Sequence, residues 1–165
     1  MFINERPGWK GAGASDRISP DNDDPTARHF KECFGQLEFS WGEVFSTNAC
    51  ICYADREGLR NKIPTTDEIL NCHYWLEKQI EALRPKLIVP LGNVALKSLK
   101  LYFKDSIQLK KFSLRENVGN VIKDTSPWIY PLYHTSLRAR LTRNAEVQKQ
   151  DWLKIENILR EISSR

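Results

Sequence analysis

The stretch from Pro64 to Leu101, PTTDEILNCHYWLEKQIEALRPKLIVPLGNVALKSLKL, leaves this chain few choices of fold. Thr65 and Glu68 form a capping-box pair, in which each side chain satisfies a backbone N–H at a helix start. Ile69, Cys72, Leu76, Ile80 and Leu83 then recur at spacings of three and four, the apolar stripe of an amphipathic helix. Arg84-Pro85 stops it. The run Leu87-Ile88-Val89-Pro90-Leu91 is apolar on both faces, as a strand buried between two layers requires. Gly92-Asn93 ends that strand and opens a second helix through Val94, Ala95, Leu96 and Leu99. Helix, buried strand, tight turn, helix is the grammar of an α/β sandwich.

The flanks extend that grammar. Met1-Phe2-Ile3 reads as the end of a strand, Asn4 to Gly8 as a turn, and Trp9 to Pro25 as a polar loop. A loop of that length without periodicity is expected to be functional or mobile. A helix follows from Thr26, with Phe30, Cys33, Phe34 and Leu37 on one face. The β-prone run Val44 to Thr47 leads into Asn48, and Ala54 to Ile63 is a charged connection. Short strands or loops are expected from Tyr102 to Asp124, then a buried strand from Trp128 to Tyr133 ending at His134. The last helix, about Ala145 to Ile162, carries Trp152, Ile155, Leu159 and Ile162 as its inner stripe. The expectation is one domain over residues 1–165, a three-layer α/β/α sandwich with a mostly parallel central sheet.

Composition narrows the class. With 165 residues, 41% hydrophobic and 28% charged, the chain has the make-up of a single globular domain. No apolar run approaches the ~20 residues of a membrane span, and no charged-then-apolar leader opens the chain. The four cysteines show no disulfide-scaffold spacing, so a reducing cytoplasm and no membrane partner are expected. A net charge of +4 permits an anionic partner without demanding one. A monomer is expected.

In a parallel sheet covered on both faces, ligands bind at the carboxyl ends of the strands. That rule collects Glu5 to Gly8, Asn48, Gly92-Asn93 and His134 with its followers on one edge. A single Asn or His at a strand end is more often a turn residue than a catalyst; their joint placement is what raises the functional reading.

The segments Phe2 to Gly8, Thr47 to Cys52, Asn61 to Cys72, Leu87 to Gly92 with Ala95-Leu96, and Tyr133 to Ser136 with Arg140 resemble, in order, the motifs of the uracil-DNA glycosylase superfamily. The nearest branch by resemblance is the family 4 type of bacteria and archaea. The resemblance covers nearly the whole chain, and Asn61 to Leu96 is its most specific part. It implies an enzyme that flips uracil out of DNA and hydrolyses its N-glycosidic bond. It also implies roles. Asn48 reads the uracil edge, and His134 stabilises the oxygen where charge accumulates. Arg6, Pro7 and Gly8 approach the base. Glu5 orients water or stabilises the sugar cation. Gly92, Asn93, Ser136, Leu137, Arg138 and Arg140 contact the DNA, and Arg143 adds positive charge.

Departures accompany the match. Asn4 stands where the family has Gly, and Thr135 where it has Pro after the histidine. The stacking aromatic expected near Pro25 to Phe30 has no clear counterpart, with Phe30 and Trp9 as the candidates. A second acidic residue expected shortly after Gly8 is not evident. Family 4 implies a [4Fe–4S] cluster, which needs four thiolates. Cys52 and Cys72 match its later ligand pair, while the earlier pair has no match. The expectation is a chain truncated at its N-terminus, with Cys52 and Cys72 as remnant ligands, no cofactor in this chain, Cys33 in the core and Cys50 the less favoured substitute ligand. The rival reading is an inactive or truncated member that binds nucleic acid without cleavage. A flavodoxin-like small-molecule enzyme is disfavoured, since no Gly-rich phosphate loop follows the first strand.

Overall fold

The structure is a computed structural model that describes residues 1–8, 10–12, 22–52 and 62–164. In chain order its elements are β1 (Phe2–Asn4), α1 (Pro25–Phe34), a 3-10 turn (Trp41–Glu43), β2 (Ser46–Asn48), α2 (Thr66–Leu83), β3 (Leu87–Pro90), α3 (Asn93–Tyr102), α4 (Ile107–Lys111), α5 (Leu114–Asn117), β4 (Trp128–Ile129), α6 (Leu137–Thr142) and α7 (Ala145–Ser163). Most of the expected loop from Trp9 and of the charged connection from Ala54 falls outside the described residues.

The four strands form one sheet in the order β2-β1-β3-β4, and every strand pair is parallel. Alternate residues face opposite sides, which sorts the core into two. Ile3, Ile88 and Ile129 pack with Ile69, Leu76 and Ile80 of α2 and Leu96 and Leu99 of α3. Phe2, Leu87 and Val89 pack with Phe30 and Phe34 of α1 and with Trp152, Ile155 and Ile158 of α7. This is the expected three-layer α/β/α arrangement.

Local signals hold where their partners are local. At α2, Thr65 Oγ1 accepts from Glu68 N, and Glu68 Oε2 accepts from Thr65 N at 2.7 Å, so the capping box is closed. Arg84, at φ 44°, turns the chain out of α2 into β3. Three expectations need correction. Leu83 is exposed, because it lies in the last turn beyond Ile80, where the helix has passed its packing partners. On α7 the best-buried apolar residues are Trp152, Ile155 and Ile158, with Leu159 and Ile162 only packed at the edge. The region from Tyr102 to Asp124 holds two short helices, α4 and α5, rather than strands. The start of α4 is fixed by Asp124, whose carboxylate accepts from Ser106 Oγ at 2.6 Å and Gln108 N at 2.9 Å.

Candidate functional site

In the order β2-β1-β3-β4 the chain leaves β1 for a neighbour on one side and later returns on the other. The carboxyl ends of β1 and β3 therefore splay their following loops apart, the place where open α/β sheets bind ligands. A cavity of about 640 Å³ lies there. Its wall is contributed by Glu5 to Gly8 after β1, Asn48 of β2, Gly92-Asn93 after β3, Tyr133 to Ser136 after β4, and the start of α1. The segments collected from sequence thus do converge.

His134 reaches the cavity because Leu132 N donates to Pro90 O at 3.0 Å, carrying the extended track of β4 past its last paired residue. The Ser136 backbone N–H donates to His134 Nδ1 at 3.1 Å. Burial pushes the imidazole pKa down to about 4, with Asp24 opposing the shift. A neutral ring whose Nδ1 accepts must carry its proton on Nε2. The side chain is therefore a neutral hydrogen-bond donor. Gly92 makes room for it: its φ is 91°, and a Cβ there would meet His134 Cβ at 3.2 Å.

Asn48 is buried and ends β2 in register with Asn4 of β1. Asn4, the residue in the family's Gly position, stays in the strand. Its Nδ2 donates to Ser46 Oγ at 3.1 Å and to Thr47 O at 3.2 Å, bracing the segment that presents Asn48. Glu5 follows directly. Burial raises its pKa, while the guanidinium groups of Arg6 and Arg138 pull it down. Gly8 borders open space, with no protein atom within 4 Å of a built Cβ.

The arginines divide. Arg138 is exposed on α6, beside Glu5. Arg140 is half-buried, and its Nη2 donates to Pro25 O at 3.5 Å. Arg143 forms a two-pronged pair with the buried Asp151, through Nε and through Nη2 at 2.7 Å, so its charge is committed to the fold. The Arg6 side chain turns towards α2 and pairs with Glu68 at 2.7 Å, leaving its backbone on the cavity side. Leu137 and Leu141, one helical turn apart, are 60% and 90% exposed on α6.

Two features escaped the sequence reading. Asp24 lines the cavity and caps α1, its Oδ1 accepting from Thr26 N and Ala27 N; the Asp-Pro-Thr start of that helix was the available signal. Trp41 also lines the cavity, edge-on to Phe30 at 5.6 Å. Phe30 itself reaches the wall, while Trp9 is outside the described residues.

The thiols do not fit a four-thiolate group. A four-thiolate group built from the cysteines of this sequence alone would need all four of them. Cys50 and Cys72 belong to the core on the α2 side of the sheet, and Cys52 Sγ lies 3.9 Å from Cys72 Sγ. Cys33 is sealed in the core on the opposite face, 3.6 Å from His29 Nε2. Burial pushes its thiol up to about 12. The sheet separates it from the other three.

A family model described as the uracil DNA glycosylase superfamily matches residues 12–158. The chain is 27% identical over 177 aligned residues to a type-4 uracil-DNA glycosylase of Saccharolobus solfataricus, covering 96% of this chain and 70% of the relative. It is 24% identical over 168 residues to a type-4 uracil-DNA glycosylase of Sulfurisphaera tokodaii, with 96% and 69% covered. A type-5 uracil-DNA glycosylase of Pyrobaculum aerophilum is 32% identical over 94 residues, 56% of this chain and 36% of that protein.

Proposed function

This chain belongs to the uracil DNA glycosylase superfamily, and from that premise we propose that it hydrolyses the N-glycosidic bond of uracil rotated out of DNA. The observation that carries the reading is the neutral His134, fixed with its proton on Nε2, on the same cavity wall as Asn48 and Glu5.

Hydrolysis needs three things from the protein. The base must be recognised, the charge that accumulates on it must be met, and the sugar cation must be supported. Asn48 serves the first, since a carboxamide donates to a ring carbonyl and accepts from the ring N–H, a pair of roles cytosine does not match. His134 serves the second. As the C1′–N1 bond breaks, its electron pair moves into the base and onto a carbonyl oxygen of the uracil, where the Nε2–H hydrogen bond strengthens. A neutral donor suits this step, because no proton need transfer for the bond to grow stronger. Glu5 serves the third: its carboxylate stabilises the oxocarbenium character of the sugar and orients the water whose oxygen bonds C1′. Phe30 supplies a ring for the base, and the space beyond Gly8 accepts it.

Around this pocket, Arg138 meets backbone phosphate, and Gly92, Asn93 and Ser136 offer polar contacts to the strand. Leu137 on the rim enters the space the base vacates. No step is routed through iron and sulfur, since Cys33 lies across the sheet from Cys50, Cys52 and Cys72.

Single-turnover release of uracil from oligonucleotides tests the assignment, with the parent compared with Asn48→Ala, Asn48→Asp and His134→Ala. His134→Ala is expected to lower the chemical rate by roughly a hundred- to a thousandfold, the effect of losing one such donor, with little change in DNA affinity. Asn48→Ala is expected to weaken discrimination, and Asn48→Asp to admit cytosine. A parent that binds uracil-containing DNA and releases no base moves the reading to the rival, a binding protein without cleavage. An active parent with an unimpaired His134→Ala leaves the family intact and removes the histidine from the site.

A further inference from the structure

Arg6 lines the cavity together with Glu5 and Pro7, yet its guanidinium is paired with Glu68 of α2 and its side chain is only 9% exposed. Nη2 stands 2.7 Å from Glu68 Oε1 on the first turn of α2, and the guanidinium also reaches the Cys50 thiol. The other Glu68 oxygen, Oε2, accepts the Thr65 backbone N–H at 2.7 Å. Both carboxylate oxygens are thus engaged, one by the helix cap and one by Arg6, which fixes the carboxylate in place. The turn is tied from behind as well: Cys50 N donates to Glu5 O at 3.0 Å. Arg6 Nε is buried without a hydrogen-bond partner among the described residues, where the cation's main compensation is Glu68.

An ion pair on an open surface contributes little, but one whose cation is sealed from water is costly to break from either end. Here the sealed cation is in the site turn itself, next in sequence to Glu5. We propose that Arg6 and Glu68 form a metal-free staple that holds the Glu5–Gly8 turn against α2, making Arg6 a positioning residue for the Glu5 carboxylate. This rests on the glycosylase reading for its catalytic consequence, and on geometry alone for the staple. It gives the region beside Cys52 and Cys72 a fastening that needs no cluster. It also accounts for an arginine at a position where the resemblance implied only backbone contact with the base.

Two measurements test it, one independent of activity. Alkylation of Cys50 in the native full chain, read by mass spectrometry, is expected to run at least about tenfold faster in Arg6→Gln than in the parent, because the guanidinium no longer closes the route to that thiol. Single-turnover uracil release is expected to slow by about tenfold or more in Arg6→Gln and in Glu68→Gln, with duplex affinity within about twofold of the parent. Arg6→Lys should recover part of the rate. The double variant should be no slower than Arg6→Gln, since both changes remove one interaction. Circular dichroism at the assay temperature establishes that each variant is folded, and Glu68→Gln, altered at the half-exposed partner, is the milder probe. Parental Cys50 labelling in Arg6→Gln would overturn the staple, and so would additive effects of the two substitutions. If no variant and no parent releases uracil, the glycosylase reading fails, and the labelling result alone decides the staple.

Discussion

Two glycines in the cavity wall are kept for opposite reasons. Gly92 faces protein: its backbone is left-handed, and a Cβ would press on His134 Cβ at 3.2 Å. Gly8 borders open space, since among the described residues a Cβ there would meet no atom beyond its chain neighbours within 4 Å. Gly92→Ala is therefore expected to destabilise the fold by about 1–3 kcal/mol, through the strained φ and the displaced histidine. Gly8→Ala should unfold at the parental temperature and still lose uracil release, because the added methyl occupies space reserved for the base. Thermal melts beside single-turnover rates separate the two. Equal destabilisation of both variants would mean Gly8 is structural. At this scale the sequence was legible for placement, since Asn48, His134 and Glu5 do line one cavity. It was not legible where direction matters. Nothing in the letters of NERPG says that the Arg6 guanidinium is taken up in an ion pair, because that depends on Glu68 arriving from another element.

The elements show the same division between local and distant causes. The closed capping box of α2 and the doubly buried β3 were readable because their determinants are adjacent in sequence. Helices α4 and α5 were not, being too short to display a 3.6-residue period, and α4 is pinned by Asp124 from farther along the chain. Helix α6 carries the functional consequence. Its three nearby arginines look equivalent as charges, yet Arg138 alone is exposed, Arg140 reaches Pro25 O, and Arg143 is held by Asp151. Arg138→Ala should lower the slope of log affinity against log salt by about 0.9, the effect of losing one phosphate contact on duplex. Arg143→Ala should leave that slope unchanged and cost about 3 kcal/mol of stability, because it leaves the buried Asp151 carboxylate with only the longer Lys154 contact at 3.9 Å. Binding isotherms at several salt concentrations and denaturant titrations give the two numbers. A salt slope that falls in Arg143→Ala would put that side chain on the DNA.

At the scale of the whole molecule, the alternation of buried strands and helices announced the sandwich, and the topology explains why distant segments share one cavity. The thiols needed the fold itself, since only the sheet shows that Cys33 is on the wrong face for the other three. Burial of the site has a further consequence for pH. The His134 pKa falls from the ordinary 6.5 to about 4 in the folded protein. Between those values the unfolded chain binds a proton that the folded protein refuses, so stability rises with pH across the window. The stabilisation is complete above about 6.5 and is lost as pH falls towards 4, at most about 3 kcal/mol. His134→Gln removes the titrating group, so its stability should fall less than the parent's between pH 7 and 4.5, measured by urea unfolding at each pH. Parallel curves would mean that the imidazole titrates normally and is no fixed neutral donor. Activity should follow a different group. On the proposed role of Glu5 as a carboxylate, release should slow as pH falls through its raised pKa, and Arg138→Ala, which removes a cation beside it, should move that acid limb to higher pH. A limb that stays put in Arg138→Ala would assign the titration to a group other than Glu5.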